Sequence, residues 1–229
     1  TEPVDFVIVR ELTSGIYFGK PRETTADYAL DTMRYTNEEI ERITRVAFDM
    51  AMKRRKHVTL VDKANVLDTS KLWRKIVAQI ATEYPEVTYD TSYVDAASMK
   101  IIASPSQFDV ILTENLFGDI LSDEAAQTTG SLGTIPSMSR GTDGPSLYEP
   151  IHGSAPDIAG KGIADPISMI RSVAMMLTHS FNRADLATEI TDGINQTVAA
   201  GIVTPDLGGK ATTDEMTKTI INHIKESRH

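Results

Sequence analysis

The stretch Asp109-Val110-Ile111-Leu112-Thr113, which runs on into Leu116-Phe117-Gly118-Asp119-Ile120-Leu121-Ser122-Asp123, decides the fold class. Its first part is a short, unbroken, β-branched apolar run, the pattern of a strand buried on both faces. Its second part spaces apolar residues at helical period and predicts a helix over about Leu116–Gln127. Working outward, the same alternation recurs. Strand His57–Val61 precedes helix Lys71–Tyr84, and strand Val87–Tyr93 precedes a helix from Asp95. Upstream, Val4–Val9 reads as a buried strand ending at Arg10, and Tyr28–Tyr35 as a second extended stretch. Thr36 and Glu39 form a capping box for a helix reaching about Lys56. Strands alternating with helices predict an α/β fold with a central parallel or mixed sheet flanked by helices.

After Thr129 the texture changes: Gly130, Gly133, Pro136, Gly141, Gly144 and Pro145 open a loop-rich zone. One strand, Ser146–Pro150, and helices Pro166–Phe181, Leu186–Ala200 and Thr213–Lys225 follow. A boundary near residue 130 divides the chain into 1–129 and 130–229. The 229 residues are 41% hydrophobic and 24% charged, as in globular proteins. With no cysteine, disulfide scaffolds, thiolate metal sites and a cysteine nucleophile are excluded. A net charge of -9 argues against nucleic-acid binding, which needs a basic surface. The run Lys53-Arg54-Arg55-Lys56 reads as a solvated helix end rather than a nucleic-acid patch. No apolar run approaches the roughly 18–20 residues of a membrane span, and the opening Thr-Glu-Pro has no secretory pattern. The expectation is a cytoplasmic protein without membrane or nucleic-acid partners.

The usual G-x-G-x-x-G, P-loop, G-x-S-x-G and H-E-x-x-H signatures are absent, so any nucleotide is held by a non-Rossmann route. Asp119 and Asp123 sit at i and i+4 on one helix face. Like charges there cost a few tenths of a kcal/mol unless a hard divalent cation reverses the sign. A solvated acidic face and a cation site both fit. Asp95 lies just past a strand's carboxyl end, where α/β sheets place ligands, and is equally a helix cap. Lys63 and Asn65 follow another strand; Lys63 suits a proton acceptor or an exposed loop. Arg10 suits a carboxylate fork or a structural ion pair, and Tyr17 a proton donor or a packed ring. The small-residue segment His152-Gly153-Ser154-Ala155-Pro156-Asp157-Ile158-Ala159-Gly160-Lys161-Gly162 suits close backbone approach to a ligand, or an ordinary surface loop.

Together, Arg10 to Gly19, Val61 to Val66, Tyr93-Val94-Asp95-Ala96, Phe117 to Asp123 and Glu149 to Gly162 resemble the isocitrate/isopropylmalate dehydrogenase family, in order and along essentially the whole chain. Leu12-Thr13 with Ile16-Tyr17-Phe18-Gly19 resembles the isopropylmalate form; relatives acting on isocitrate, tartrate or malate tend to read Arg-Glu-Asn-Thr there. The resemblance implies oxidative decarboxylation of a 2-hydroxy acid, 3-isopropylmalate, by NAD with Mg2+ or Mn2+. It implies a metal held by Asp119 and Asp123 with Asp95 from a partner subunit, which also faces the substrate. Lys63, also reaching across the dimer, takes the hydroxyl proton and Tyr17 helps protonate the enolate. Arg10 holds a substrate carboxylate and Asn65 lies near substrate and nicotinamide.

The shared site implies a homodimer, with an interlocking arm over about Ile16–Tyr35 and residues 1–129 as its dimerising domain. The loop from His152 through Gly162, Ile163 and Ala164 to Asp165 is implied to hold adenosine. There Asp157 accepts from the ribose diol and disfavours a 2′-phosphate, because NADP-specific relatives carry Lys-Tyr in place of Asp157-Ile158. Two departures stand out: Ser14 where glycine is usual, and Asp165 where asparagine is usual. The motifs begin about a third of the way into the family's length. Residues 130–229 are then implied to be the C-terminal share of a discontinuous NAD-binding domain, with two further substrate arginines and the isopropyl pocket upstream. Rival readings are a D-malate or tartrate dehydrogenase and a dimerisation module without catalysis.

Overall fold

The computed structural model describes residues 4–227. Its chain divides into two units, Thr1–Thr128 and Thr129–His229. The first unit runs through β1 (Val7–Arg10), the two-residue strands β2 (Glu23–Thr24) and β3 (Ala29–Leu30), and α1 (Asn37–Met52). It continues with β4 (His57–Asp62), α2 (Asp68–Ala81), β5 (Thr88–Tyr93), α3 (Val94–Ala103), β6 (Val110–Thr113) and α4 (Asn115–Ala126). Four strands form one parallel sheet in the order β1-β6-β4-β5. Parallel strands have side chains covered on both faces, which is why the apolar runs lack alternation.

Strand periodicity sorts the core into two layers. Val58, Leu60, Val110 and Leu112 face Ile40, Phe48 and Trp73 of α1 and α2. Val61 and Ile111 face Ala97, Ile101 and Leu121 of α3 and α4. Phe48 and Leu60 are completely buried, so truncating either to alanine costs about 2–5 kcal/mol. The capping box at Thr36 and Glu39 is present, with Glu39 N–H donating to Thr36 Oγ1 (3.3 Å) and Thr36 N–H to Glu39 Oε2 (2.7 Å). Within the basic run after α1, Arg54 reaches Asp109 and Asp5 at 2.8 Å each, and Lys56 reaches Glu86 at 2.5 Å.

Several expected bounds shift where pairing partners dictate them. β1 begins at Val7, not Val4, because its ladder with β6 starts at the Val7–Val110 pair. Of the stretch Tyr28–Tyr35, Ala29–Leu30 alone pairs as strand, against Glu23–Thr24, and both short strands are exposed. α2 starts at Asp68 rather than Lys71 and ends at Ala81.

The second unit holds a strand missing from the expectation. β7 (Pro136–Arg140) pairs antiparallel with β8 (Ser146–Pro150), from Pro136–Pro150 to Arg140–Ser146. Its proline, serines and terminal arginine mask any strand pattern, and the antiparallel partner supplies the ladder. Helices α5 (Ile167–His179), α6 (Ala184–Ala199) and α7 (Thr213–Glu226) follow, around a core of Ile167, Ile194, Met216 and Ile220.

Candidate functional site

Because β1, β6, β4 and β5 run parallel, their carboxyl ends share one edge of the sheet, the place where open α/β sheets collect ligands. Arg10 ends β1, Asn115 opens α4 after β6, Lys63 follows β4, and Asp95 lies just past β5.

Arg10 lies across α4 at Gly118, where a Cβ would stand 2.6 Å from Arg10 Cγ. Its Nε and Nη2 donate to Asn115 Oδ1 at 3.0 and 2.7 Å, and its Nη1 donates to Asp119 Oδ1 at 2.7 Å. The other Asp119 oxygen accepts from the Tyr17 hydroxyl at 2.7 Å. The Tyr17 ring sits 5.6 Å from the Arg10 guanidinium carbon. Donation to Asp119 is the main reason the Tyr17 phenol is held above its ordinary pKa, so it keeps its proton. Asp123 follows one turn later, exposed.

Tyr17 sits on a 3-10 turn, Gly15–Tyr17, which buried polar groups support. Gly15 has φ +80, and a Cβ there would lie 2.2 Å from the Tyr35 hydroxyl, so glycine is required twice over. Glu11, 1% exposed, accepts the N–H groups of Thr13 and Ser14 at 3.0 Å and pairs with Arg42 at 2.7 Å. Ser14 has φ -141 and ψ -153, extended backbone open to any residue, so serine imposes no strain there. Its hydroxyl donates to Glu39 Oε1.

At the far side of the edge, Lys63 Nζ bonds Asp95 Oδ1 at 2.5 Å and lies 5.9 Å from the Tyr93 ring centre. The lysine ammonium holds the Asp95 carboxyl below its ordinary range. Arg74 clamps Asp62 with two bonds, 2.6 and 3.0 Å, and stacks 5.0 Å from the same Tyr93 ring. Asp62 also accepts Ala64 N–H at 2.9 Å, and Ser70 Oγ accepts Lys63 N–H at 3.1 Å, so the backbone around Lys63 is pinned. Asn65 is exposed on the same turn.

The structure thus brings Arg10, Tyr17 and Asp119 together, and separately Lys63 and Asp95. It does not assemble Asp95, Asp119 and Asp123 within one chain: among the described residues no group of three or more such side chains is placed to hold a metal. The donor types fit a hard divalent cation, since Asp119 and Asp123 present carboxylate oxygens from one solvent-facing side of α4.

In the second unit, His152 to Asp157 are exposed, and Ala155 takes a left-handed φ of 41. His152 Nδ1 lies 2.9 Å from the Gly153 carbonyl. The exposed backbone and free-standing Asp157 carboxylate suit a nucleotide sugar. The loop's trailing end is pinned to α7: Thr213 N–H donates to the Gly162 carbonyl (2.9 Å) and Thr213 Oγ1 to that of Ala164 (2.5 Å). Asp165 Oδ1 accepts Ile167 N–H at 2.7 Å, while its Oδ2 is buried without a partner. Burial, chiefly, with the Asp206 carboxylate adding to it, pushes Asp165 up to about 6.

Sequence reasoning missed Glu11, Tyr35, Glu114 and Asn115. All four are buried: Glu11 and Asn115 are 1% exposed, Glu114 4% and Tyr35 6%. For Glu11, Glu114 and Asn115 the available signal was an acid or amide just past a buried apolar run, a polar residue near the site edge; Tyr35 gave no such signal.

The family profile described as isocitrate/isopropylmalate dehydrogenase matches residues 1–220. The chain is 54% identical over 224 residues to 3-isopropylmalate dehydrogenase of Listeria monocytogenes, covering 98% of this chain and 64% of that protein. It is 56% identical over 223 residues to the enzyme of the same name from Streptococcus thermophilus, covering 97% and 64%. The chain therefore spans about 64% of the length of the curated relatives it matches. The crystal structure of isocitrate dehydrogenase from Methylococcus capsulatus superposes with a TM-score of 0.92 at 43% identity, covering 98% of this chain and 68% of that one. A β-decarboxylating dehydrogenase from Thermococcus kodakarensis gives 0.81 at 42%, covering 95% and 64%. A parallel α/β sheet with its polar groups at one edge, matched over nearly all its length, identifies this chain as a member of the isocitrate/isopropylmalate dehydrogenase family.

Proposed function

We propose that this chain serves the NAD-dependent oxidative decarboxylation of 3-isopropylmalate to 2-oxo-4-methylpentanoate, a step of leucine biosynthesis. The observation that carries the reading is the convergence of Arg10, Tyr17 and Asp119 at the end of β1. It joins a carboxylate-binding fork, a protonated phenol and a carboxyl oxygen ligand in one place. Two listeria and streptococcal relatives named 3-isopropylmalate dehydrogenase are 54% and 56% identical, against 43% for the isocitrate dehydrogenase structure, which favours isopropylmalate over isocitrate.

Asp119 and Asp123, with Asp95 of a second copy, would hold Mg2+ or Mn2+, which would supply Lewis acidity toward the substrate, and NAD would serve as the hydride acceptor. Arg10 holds the carboxylate beside the reacting carbon by charge-assisted hydrogen bonds. Lys63 of the second copy takes the hydroxyl proton as an amine, its own ammonium proton having first passed to solvent, while the C2 hydride passes to NAD and a 2-oxo acid forms. Loss of CO2 then leaves an enolate, and Tyr17 delivers a proton to its carbon. One proton leaves the hydroxyl and one is returned at carbon, so the step balances with NADH and CO2 as co-products. Asp157 takes the ribose hydroxyls, and the loop His152–Asp165 receives the adenosine.

A homodimer is part of this reading and is supported by the single chain, in which Lys63 bonds Asp95 and no group of three such carboxylates is placed to hold a metal among the described residues. Met99, Ile102 and Ile120 on α3 and α4 are 73%, 58% and 56% exposed, an apolar face suited to a second copy. Residues 1–129 serve as the dimerising part, with the arm of residues 16–35, and 130–229 as the nucleotide-binding part. The test is NADH formation with 3-isopropylmalate and with D-malate, at matched Mn2+, alongside sedimentation. Faster turnover of D-malate moves the assignment to that substrate. A stable dimer without turnover on either leaves a dimerisation module.

A further inference from the structure

We infer that Asn115 is a positioning residue that holds Arg10 and the Tyr17 turn in one register; this rests on the roles proposed above for Arg10 and Tyr17. Asn115 is the first residue of α4 and is 1% exposed. Each polar atom beyond its helical carbonyl is used. Its N–H donates to the Tyr35 hydroxyl at 2.9 Å, and that hydroxyl in turn donates to Glu114 at 2.8 Å. Oδ1 accepts both Arg10 Nε and Nη2, and Nδ2 donates to the Ser14 carbonyl at 3.0 Å.

A carboxamide is required for this task. It accepts from a guanidinium at one end and donates to a carbonyl at the other, which neither a carboxylate nor an aliphatic side chain can do. With its inner edge held by Oδ1, the guanidinium presents Nη1 outward, where it meets Asp119 at 2.7 Å. With its carbonyl held by Nδ2, Ser14 starts the turn that carries Tyr17 to the same carboxylate. One buried amide thereby sets the spacing between the carboxylate fork and the proton donor, and such spacing controls rate through orientation.

The two halves of the amide separate by substitution. Asn115→Asp keeps the acceptor for Arg10 and loses the donor to Ser14; Asn115→Ala loses both. NMR of the whole chain reads each half: solvent exchange of the Arg10 Nε–H, assigned by its loss in Arg10→Lys, and of the Gly15 amide, which donates to the Arg34 carbonyl at 3.1 Å. Asn115→Ala is expected to speed exchange about tenfold or more at Arg10, where a bond to a charged group is lost, and about threefold or more at Gly15, where the lost bond to the Ser14 carbonyl joins neutral groups. Asn115→Asp is expected to speed Gly15 alone. Equal behaviour of the two variants at both reporters, or an Arg10 signal unmoved in the alanine variant, overturns the inference. If Asn115→Ala does not fold, Asn115→Asp decides: Gly15 faster with Arg10 unchanged supports it, any other pattern overturns it. In turnover, Asn115→Asp lowers kcat with KM held, because Arg10 stays in place. Absence of turnover in the unaltered chain sinks the proposed function while leaving both exchange readings intact.

Discussion

The end of β1 and the loop after β8 handle polar groups in opposite ways. Around Arg10, Tyr17 and Asp119, buried Tyr35 links Glu114 to the Asn115 N–H, and buried Glu11 accepts from Thr13, Ser14 and Arg42. In the loop of residues 152–157 the side chains stand in solvent, and the backbone carries a left-handed alanine. On the function proposed above, proton transfer would need its groups held to within a fraction of an ångström, which the buried network of the first region suits. A nucleotide would bring its own hydrogen-bonding surface, which the open backbone of the second suits.

The largest break in this comparison is expected from Asp119→Asn. Removing the carboxylate that unites Arg10 and Tyr17 should cost about a thousandfold in Mn2+-dependent turnover, some 4 kcal/mol of transition-state stabilisation. Because Asp119 is half-exposed, thermal unfolding should hardly move.

Asp165→Asn is next, and acts through pH. The folded form raises Asp165 to about 6 from the ordinary 3.8, so the native state binds its proton more tightly than the unfolded chain. Stability is then fully present below about pH 4 and is lost as pH rises through about 6. Asparagine removes that loss and can offer its N–H2 toward Asp206. The variant should gain about 2 kcal/mol at pH 8 and nothing at pH 3.5. Chemical denaturation at the two pH values reads the difference; an equal gain at both points to packing instead.

Asp157→Ala sharpens the contrast from the exposed side. Losing the acceptor for a ribose diol should raise the KM for NAD about tenfold, with KM for the hydroxy acid unchanged. Equal effects on both substrates would place Asp157 elsewhere in the cycle. The smallest effect is expected from Ala155→Gly, which relieves a left-handed φ and should stabilise the second unit by about 0.5 kcal/mol in denaturant unfolding. Destabilisation would show that the alanine methyl is packed rather than strained.

The polar edge was partly legible beforehand. Arg10, Lys63 and Asp95 stood out because each ends or closely follows a strand, and strand ends point one way in a parallel sheet; Asp119 stood out with Asp123 by its i, i+4 spacing on one helix face. Asn115 and Glu114 escaped because next to Asp119 and Asp123 they read as ordinary helix-start residues. Strand β7 escaped because Pro136 and its serines carry no alternating pattern, and only β8 beside it makes a ladder. Ser14 stood out only as a departure from the usual glycine, whereas its extended φ and bond to Glu39 depend on where α1 arrives, 25 residues later.

What the sequence determined by itself is local: which runs are buried strands, which helices carry caps, and which charged residues stand at strand ends. Periodicity and capping act within a few residues, so they are written in order along the chain. Which strand lies beside which, that one amide grips both Arg10 and Ser14, and that Asp95 pairs with Lys63 rather than with Asp119, were decided by tertiary structure alone. Those choices join groups up to 105 residues apart, as Arg10 and Asn115 are, and they are fixed by sheet order and burial, which no short window of sequence contains.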